Sequence, residues 1–158
     1  MFSIFKLSWL GQSFLAMALL VPTWLSINFF ARNFNIKGEI LLFWYMWGVI
    51  IGTGASFLFR RLAVADVIPH RLSVIAMLML GLTFGAALNI LLFSAVAQAP
   101  NPGVPIAISN VASVLVFISA ALLAVWLPKY FSNIAFSPQH FLGVLLAVLG
   151  VVLITLKK

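Results

Sequence analysis

Acidic residues are almost absent from this chain, and this scarcity limits what the chain can fold into more than any other feature. Of 158 residues only Glu39 and Asp66 are acidic, and neither lies within an apolar run. Apolar residues make up 65% and charged residues 7% of the chain, against about 45–50% and about 25% in soluble domains. A soluble protein of this composition would lack polar surface. The sequence therefore predicts an all-α, multi-pass integral membrane protein.

The apolar residues form five runs, each bounded by charged residues or by proline. A helix needs about 20 residues to cross the hydrocarbon layer, and a chain of this length has room for about five. We expect a bundle of about five transmembrane helices in a single transmembrane domain over residues 1–158. The predicted spans are 8–31, 40–59, 70–97, 104–127 and 139–156.

The charge and the rare reactive residues exclude several functions. The net charge of +7 comes from basic residues at the ends of the apolar runs, where they meet lipid headgroups, so we expect no nucleic-acid partner. The chain has no cysteine and two histidines, His70 and His140, which predicts no metal site and no cofactor. Ser113 near Asn110 has no histidine or carboxylate neighbour in sequence, so we expect no enzymatic activity and assign no catalytic residue.

Five spans place the two termini on opposite sides of the membrane. The basic residues then divide five against four, which gives almost no orientation preference. One interpretation places the N-terminus and the cluster of three arginines in the cytoplasm. The other is that the chain inserts both ways and pairs with an inverted copy or an inverted paralogue. The two sets are Lys6, Arg60, Arg61, Arg71 and Lys129 on one side and Arg32, Lys37, Lys157 and Lys158 on the other.

Polar side chains inside the predicted spans are the candidate site. At about 1.5 Å per residue, Asn28, Asn110 and Asn89 lie about 5 Å, about 9 Å and about 12 Å from the same membrane face. Trp24 is a helical neighbour of Asn28. Such amides either bond between helices as packing contacts or line a cavity. We predict a substrate cavity for neutral, zwitterionic or aromatic small molecules, lined by Trp24, Asn28, Asn89, Asn110 and Ser113.

Glycines recur at helical spacing and predict close helix packing. Gly48 and Gly52, like Gly81 and Gly85, form Gly-x-x-x-Gly steps, which let two helix backbones approach. Gly143 and Gly150 share one face of the fifth span. The contacts they make are either within the chain or between two chains.

Several segments resemble one repeat of the EamA family of the drug/metabolite transporter superfamily. The proline-glycine turn and the last helix are the most specific parts of this resemblance, which covers nearly the whole chain. The resembling segments are Trp24–Phe29, Leu88–Ala97 with Ala99-Pro100-Asn101-Pro102-Gly103 and Ile106-Ala107-Ile108 after it, and Phe141–Gly143 with Leu149–Ile154.

The resemblance implies a half-size transporter, because members of the family usually carry two such repeats in inverted orientation. We expect it to move small organic metabolites or drugs by alternating access, as a homodimer or as a heterodimer with a similar five-span chain. The expected location is a bacterial-type inner membrane, with the lipid bilayer and a small-molecule substrate as partners. The alternative is an accessory or assembly subunit of another membrane protein that transports nothing itself.

Overall fold

A computed structural model describes residues 8–62, 67–68, 71–131 and 138–156. Five helices make up most of this part of the chain. The third contains one π-helical turn, at Gly81–Gly85, where the helix is wider because backbone hydrogen bonds join residues five positions apart. The helices are α1 (Trp9–Phe34), α2 (Gly38–Arg60), α3 (Arg71–Gln98), α4 (Gly103–Trp126) and α5 (Pro138–Leu156).

The helices coincide with the predicted spans to within a few residues. The first four are 23 to 28 residues long and apolar enough to cross a membrane, which is consistent with a multi-pass membrane protein. The fifth helix, α5, has 19 residues, and its apolar stretch is Leu142–Ile154. That α5 also crosses the membrane, which would give five spans in total, stays a prediction.

The connection between α1 and α2 is shorter than the sequence suggested. We expected a loop from Arg32 to Glu39, but α1 continues to Phe34 and α2 begins at Gly38. The chain turns at Asn35, whose φ of 52° and ψ of 41° are left-handed. Asparagine adopts this conformation more readily than most residues because its short side chain can hydrogen-bond locally.

The chain divides into two compact units, Met1–Pro102 and Gly103–Lys158. We call them unit one and unit two. Unit one contains α1, α2 and α3, and unit two contains α4 and α5, which pack on each other with Val114 and Ala124 buried. Two packing units are compatible with one transmembrane domain, so the single domain over 1–158 stays a prediction.

The core of unit one is built around the C-terminal half of α3, which packs against both α1 and α2. Phe93 and Val96 on α3 are 1% and 0% exposed. The Phe93 ring meets Trp24 of α1 edge-on with centroids 5.3 Å apart, and Tyr45 of α2 at 5.4 Å. Each such pair contributes about 0.5–1.5 kcal/mol beyond its buried area. Phe93 therefore holds all three helices together.

Several residues used in the predictions from sequence lie outside the described residues. Lys6, Asp66 and His70 are among them, as are the two C-terminal lysines. The division of basic residues across the membrane, and with it the orientation of the chain, stays a prediction.

Candidate functional site

Asn28 of α1 ties this helix to the C-terminal end of α3. Its amide nitrogen donates to the backbone oxygen of Val96 at 2.7 Å and to that of Ala99 at 3.1 Å. In a continuing α-helix the Val96 carbonyl would accept from the N–H four residues later. That residue is Pro100, which has no N–H. The Asn28 side chain supplies the donor that the proline removes.

The first two predicted site residues, Trp24 and Asn28, thus make packing contacts. Both amide hydrogens of Asn28 are occupied, so its oxygen is the atom left to offer a ligand. The Trp24 indole lies against Phe93. One turn after Asn28, Arg32 also reaches the end of α3, with its guanidinium 3.5 Å from the Pro100 oxygen. These contacts fix α1 against α3.

Asn89 lies in a groove between α2 and α3, which we call the interior groove. It has a volume of about 380 Å³, within the range of about 300–1,000 Å³ typical of small-molecule sites. The lining is apolar except for the one amide. It consists of Leu42, Met46, Gly81, Gly85, Ala86, Asn89 and Ile90.

The π-helical turn forms one end of the interior groove. The N–H of Ala86 donates to the Gly81 oxygen, five residues back, in place of the usual four. Asn89 donates to the Gly85 oxygen at 2.8 Å, so one amide N–H and the amide oxygen are left for another partner. Single π turns inside α-helices frequently mark functional sites. The sequence signalled this position only through the two glycines.

Asn110 and Ser113 belong to unit two. The Ser113 hydroxyl donates to the backbone oxygen of Asn110 at 2.6 Å, and the Asn110 side chain is exposed. Ser113 also lines a shallow pocket of about 320 Å³ between α4 and α5, together with Phe117 and Gly143. The Ser113 hydroxyl that faces this pocket is thus already hydrogen-bonded within α4.

The predicted site residues therefore fall into three places. Trp24 and Asn28 lie together at the end of α3, and Asn89 lies in the interior groove. Seven residues separate Val96, the partner of Asn28, from Asn89, which is about 10 Å along a helix. Asn110 and Ser113 lie together in unit two. Their shared role in one substrate cavity stays a prediction.

The glycines predicted to pack helices differ in what surrounds them. Gly81 and Gly85 line the interior groove, and Gly143 lines the pocket of unit two. A Cβ added at Gly48, Gly52, Gly81, Gly143 or Gly150 would meet no atom within 4 Å in the described part of its own unit. At Gly85 it would meet only the Leu80 oxygen of its own helix, at 3.5 Å. Close packing on another helix is therefore not found at any of the six predicted glycines within the described part of each unit, and a contact with another chain stays a prediction.

Gly38 is the closely packed glycine that sequence reasoning missed. A Cβ there would lie 2.7 Å from the oxygen of Phe93 and 2.9 Å from the Cα of Ser94. The start of α2 thus presses directly on the backbone of α3. Because Gly38 belongs to no Gly-x-x-x-Gly step, its spacing gave no signal.

A second polar depression, which we call the face pocket, lies where α1 ends, α2 begins and α3 ends. Its volume is about 440 Å³, and it carries both a lysine and a glutamate. Sequence analysis treated these residues only as loop charges. The lining residues are Ala31, Asn35, Ile36, Lys37, Gly38, Glu39, Ser94, Ala97 and Gln98.

Metal ligands do not cluster in the described part of the chain, where no group of three or more His, Asp or Glu side chains occurs. Comparisons with models of protein families, with curated proteins and with solved structures give no match. The geometry of the chain itself is therefore the basis on which its function is inferred.

Proposed function

We propose that the chain is a half-size membrane transporter of the EamA type that moves small organic molecules by alternating access, as one of an inverted pair. The observation that carries this proposal is the interior groove. It places a partly unsatisfied amide beside a π-helical turn, deep within a helix that is long enough to span the membrane.

The amide is costly in that position unless it has a polar partner. A side chain such as Asn89 facing hydrocarbon would leave its remaining N–H and oxygen unsatisfied, and polar groups inside membranes therefore face protein or a water-filled cavity. One internal hydrogen bond, to Gly85, uses only part of its capacity. Water or a substrate in the groove would satisfy the rest.

The π turn supplies a place where α3 can change shape. Glycines at both ends of the turn leave little side-chain bulk to resist a change in backbone angles. Transporters commonly bind substrate at interrupted helices near the middle of the membrane. A bend at Gly81–Gly85 would alter the side of the membrane to which the groove opens.

A second chain would complete the groove. Its lining comes from α2 and α3 alone, and next to it Leu82 and Phe84 of the π turn are 70% and 74% exposed. Inverted pairs build their site where the two repeats meet. The nearly equal charge division predicted for the two sides favours insertion in both orientations.

The alternative, an accessory subunit without transport, is favoured by the contacts of Trp24 and Asn28. Both side chains serve helix packing, as a scaffold requires. The two functions differ in one property, which is whether water enters the interior groove.

Single-cysteine labelling measures this property directly because the chain contains no cysteine. A membrane-impermeant thiol reagent reacts with the thiolate, which forms where water is present. We expect Asn89→Cys to be labelled and Leu91→Cys to resist labelling, since Leu91 is 71% exposed on the same helix and would face lipid. If neither cysteine reacts, the groove is dry and the accessory function is the better conclusion.

Transport itself is tested with reconstituted vesicles and a panel of neutral and zwitterionic aromatic compounds. Leaving a substrate polar group unpaired costs about 1–3 kcal/mol, so Asn89→Leu should reduce affinity roughly ten- to a hundredfold. Asn110→Leu in unit two should act in the same direction if both amides line one cavity. Unchanged transport by both variants would show that the amides serve packing alone.

A further inference from the structure

The face pocket lies at the depth of the lipid headgroups. It is formed by the last turn of α1, the first turn of α2 and the last turn of α3. The ends of membrane-spanning helices meet the headgroup region. Arg32 in the last turn of α1 donates to the Pro100 oxygen just after α3, so the ends of α1 and α3 lie at one level.

Two opposite charges line this pocket without neutralising each other. Lys37 and Glu39 are both exposed, and neither forms an ion pair within the part of the chain that the structure describes. The amides of Asn35 and Gln98 and the hydroxyl of Ser94 complete the polar lining. A ligand that carries one negative and one positive group would satisfy both charges.

We propose that the face pocket binds the headgroup of phosphatidylethanolamine, a zwitterionic phospholipid with a primary ammonium group. Lys37 pairs with the phosphate, and Glu39 accepts hydrogen bonds from the ammonium. Charge-assisted hydrogen bonds of this kind are about twice as strong as neutral ones. The pocket volume of about 440 Å³ is sufficient for a headgroup. This inference does not depend on the proposed transport function.

A lipid fits better than a free zwitterion because exposed apolar side chains lie beside the pocket residues along α1 and α2. Phe34 at the end of α1 and Ile40 and Phe43 at the start of α2 are all exposed. Acyl chains attached to a headgroup in the pocket would cover these side chains. A free zwitterion would leave them uncovered.

The lining also selects among headgroups. A choline group has no N–H to donate to Glu39, and quaternary ammonium groups are recognised by aromatic faces, which the nine lining residues do not include. An anionic lipid such as phosphatidylglycerol offers no positive group to the glutamate. The pocket chemistry therefore favours ethanolamine over both.

The test compares soluble short-chain lipids on the purified full chain by native mass spectrometry. The dissociation constant of dioctanoyl-phosphatidylethanolamine should be at least about tenfold lower than that of dioctanoyl-phosphatidylcholine, which is the factor expected from one charge-assisted hydrogen bond. Glu39→Gln should remove this preference, and Lys37→Gln should lower the affinity for both lipids. Lys129→Gln, which removes an equally exposed lysine in unit two, should change neither affinity.

Two further ligands keep the test decisive if a variant does not fold. Glycerophosphoethanolamine, the headgroup without acyl chains, should bind much more weakly than the lipid to the unmodified chain. Successive N-methylation of the lipid should lower affinity stepwise as N–H donors disappear. Equal binding of the ethanolamine and choline lipids overturns the assignment of an ethanolamine site. If glycerophosphoethanolamine binds as tightly as the lipid, the ligand of the pocket is a free zwitterion and not a lipid.

Discussion

Replacing Gly38 with alanine tests how tightly α2 packs on α3. The new methyl group would lie 2.7 Å from the Phe93 oxygen, 2.8 Å from the Phe93 carbonyl carbon and 2.9 Å from the Ser94 Cα. All three atoms belong to the backbone, so no flexible side chain can move aside. The two helices must separate, or α2 must begin later.

The size of the effect follows from these distances. Ordinary contact begins near 3.4 Å, so the shortest contact requires a displacement of about 0.7 Å. Inserting a methyl group into a packed core typically costs about 1–3 kcal/mol. Alanine gains up to about 1 kcal/mol of helix propensity over glycine in a helix interior, but Gly38 is the first residue of α2 and gains less. We expect a net loss of about 1–2 kcal/mol in the free energy of unfolding.

The assay is reversible unfolding in mixed micelles, followed by circular dichroism or steric trapping. Gly54→Ala is the matched control, since a Cβ there meets no atom within 4 Å in the described part of unit one. That variant should be as stable as the original chain or slightly more stable. If Gly38→Ala and Gly54→Ala are equally stable, α2 and α3 do not touch as the structure describes.

Three other outcomes are expected. Asn28→Leu should lower the free energy of unfolding by about 1–2 kcal/mol, because two interhelical hydrogen bonds of about 0.6 kcal/mol each are lost and the Val96 carbonyl loses its donor. Asn33→Leu, which loses a bond only within α1, should have little effect, and equal losses would contradict this role of Asn28. Gly52→Leu should reduce chain-to-chain crosslinking without changing the stability of the monomer, whereas a loss of monomer stability would point to packing within the chain. Reporters fused at residue 2 and at Lys158 on separate molecules should label opposite sides of the membrane, and a single population labelled on one side would exclude five spans.

The sequence predicted the helices closely, and the reason is local. Inside hydrocarbon each backbone N–H and C=O must be bonded within its own segment, so an apolar run of sufficient length becomes a helix whatever lies beside it. The bounds of α2 and α4, predicted as 40–59 and 104–127, each differ from the structure by at most two residues. The start of α5 at Pro138 is also determined locally, because proline fits the first turn of a helix.

The contacts between helices were not accessible in this way. The sequence marks Asn28 as a polar residue within an apolar run, but its partners at the end of α3 are 68 and 71 residues away. The Gly-x-x-x-Gly rule selected Gly48 and Gly52, which face open space in unit one, and passed over Gly38. Helical periodicity defines which residues share a face, but not which faces meet another helix.

The sequence alone therefore determined the class of protein, the number of apolar runs and the limits of each helix to within a few residues, because these depend on the bilayer and on local interactions. Only the tertiary structure decided that Phe93 joins three helices, that α3 widens at Gly81–Gly85, that Asn89 lines a groove and that Asn28 bonds to the end of α3. These features depend on how neighbouring helices are rotated and shifted against each other. In lipid, where apolar side chains are equally at home on every face, hydrophobicity does not specify that rotation.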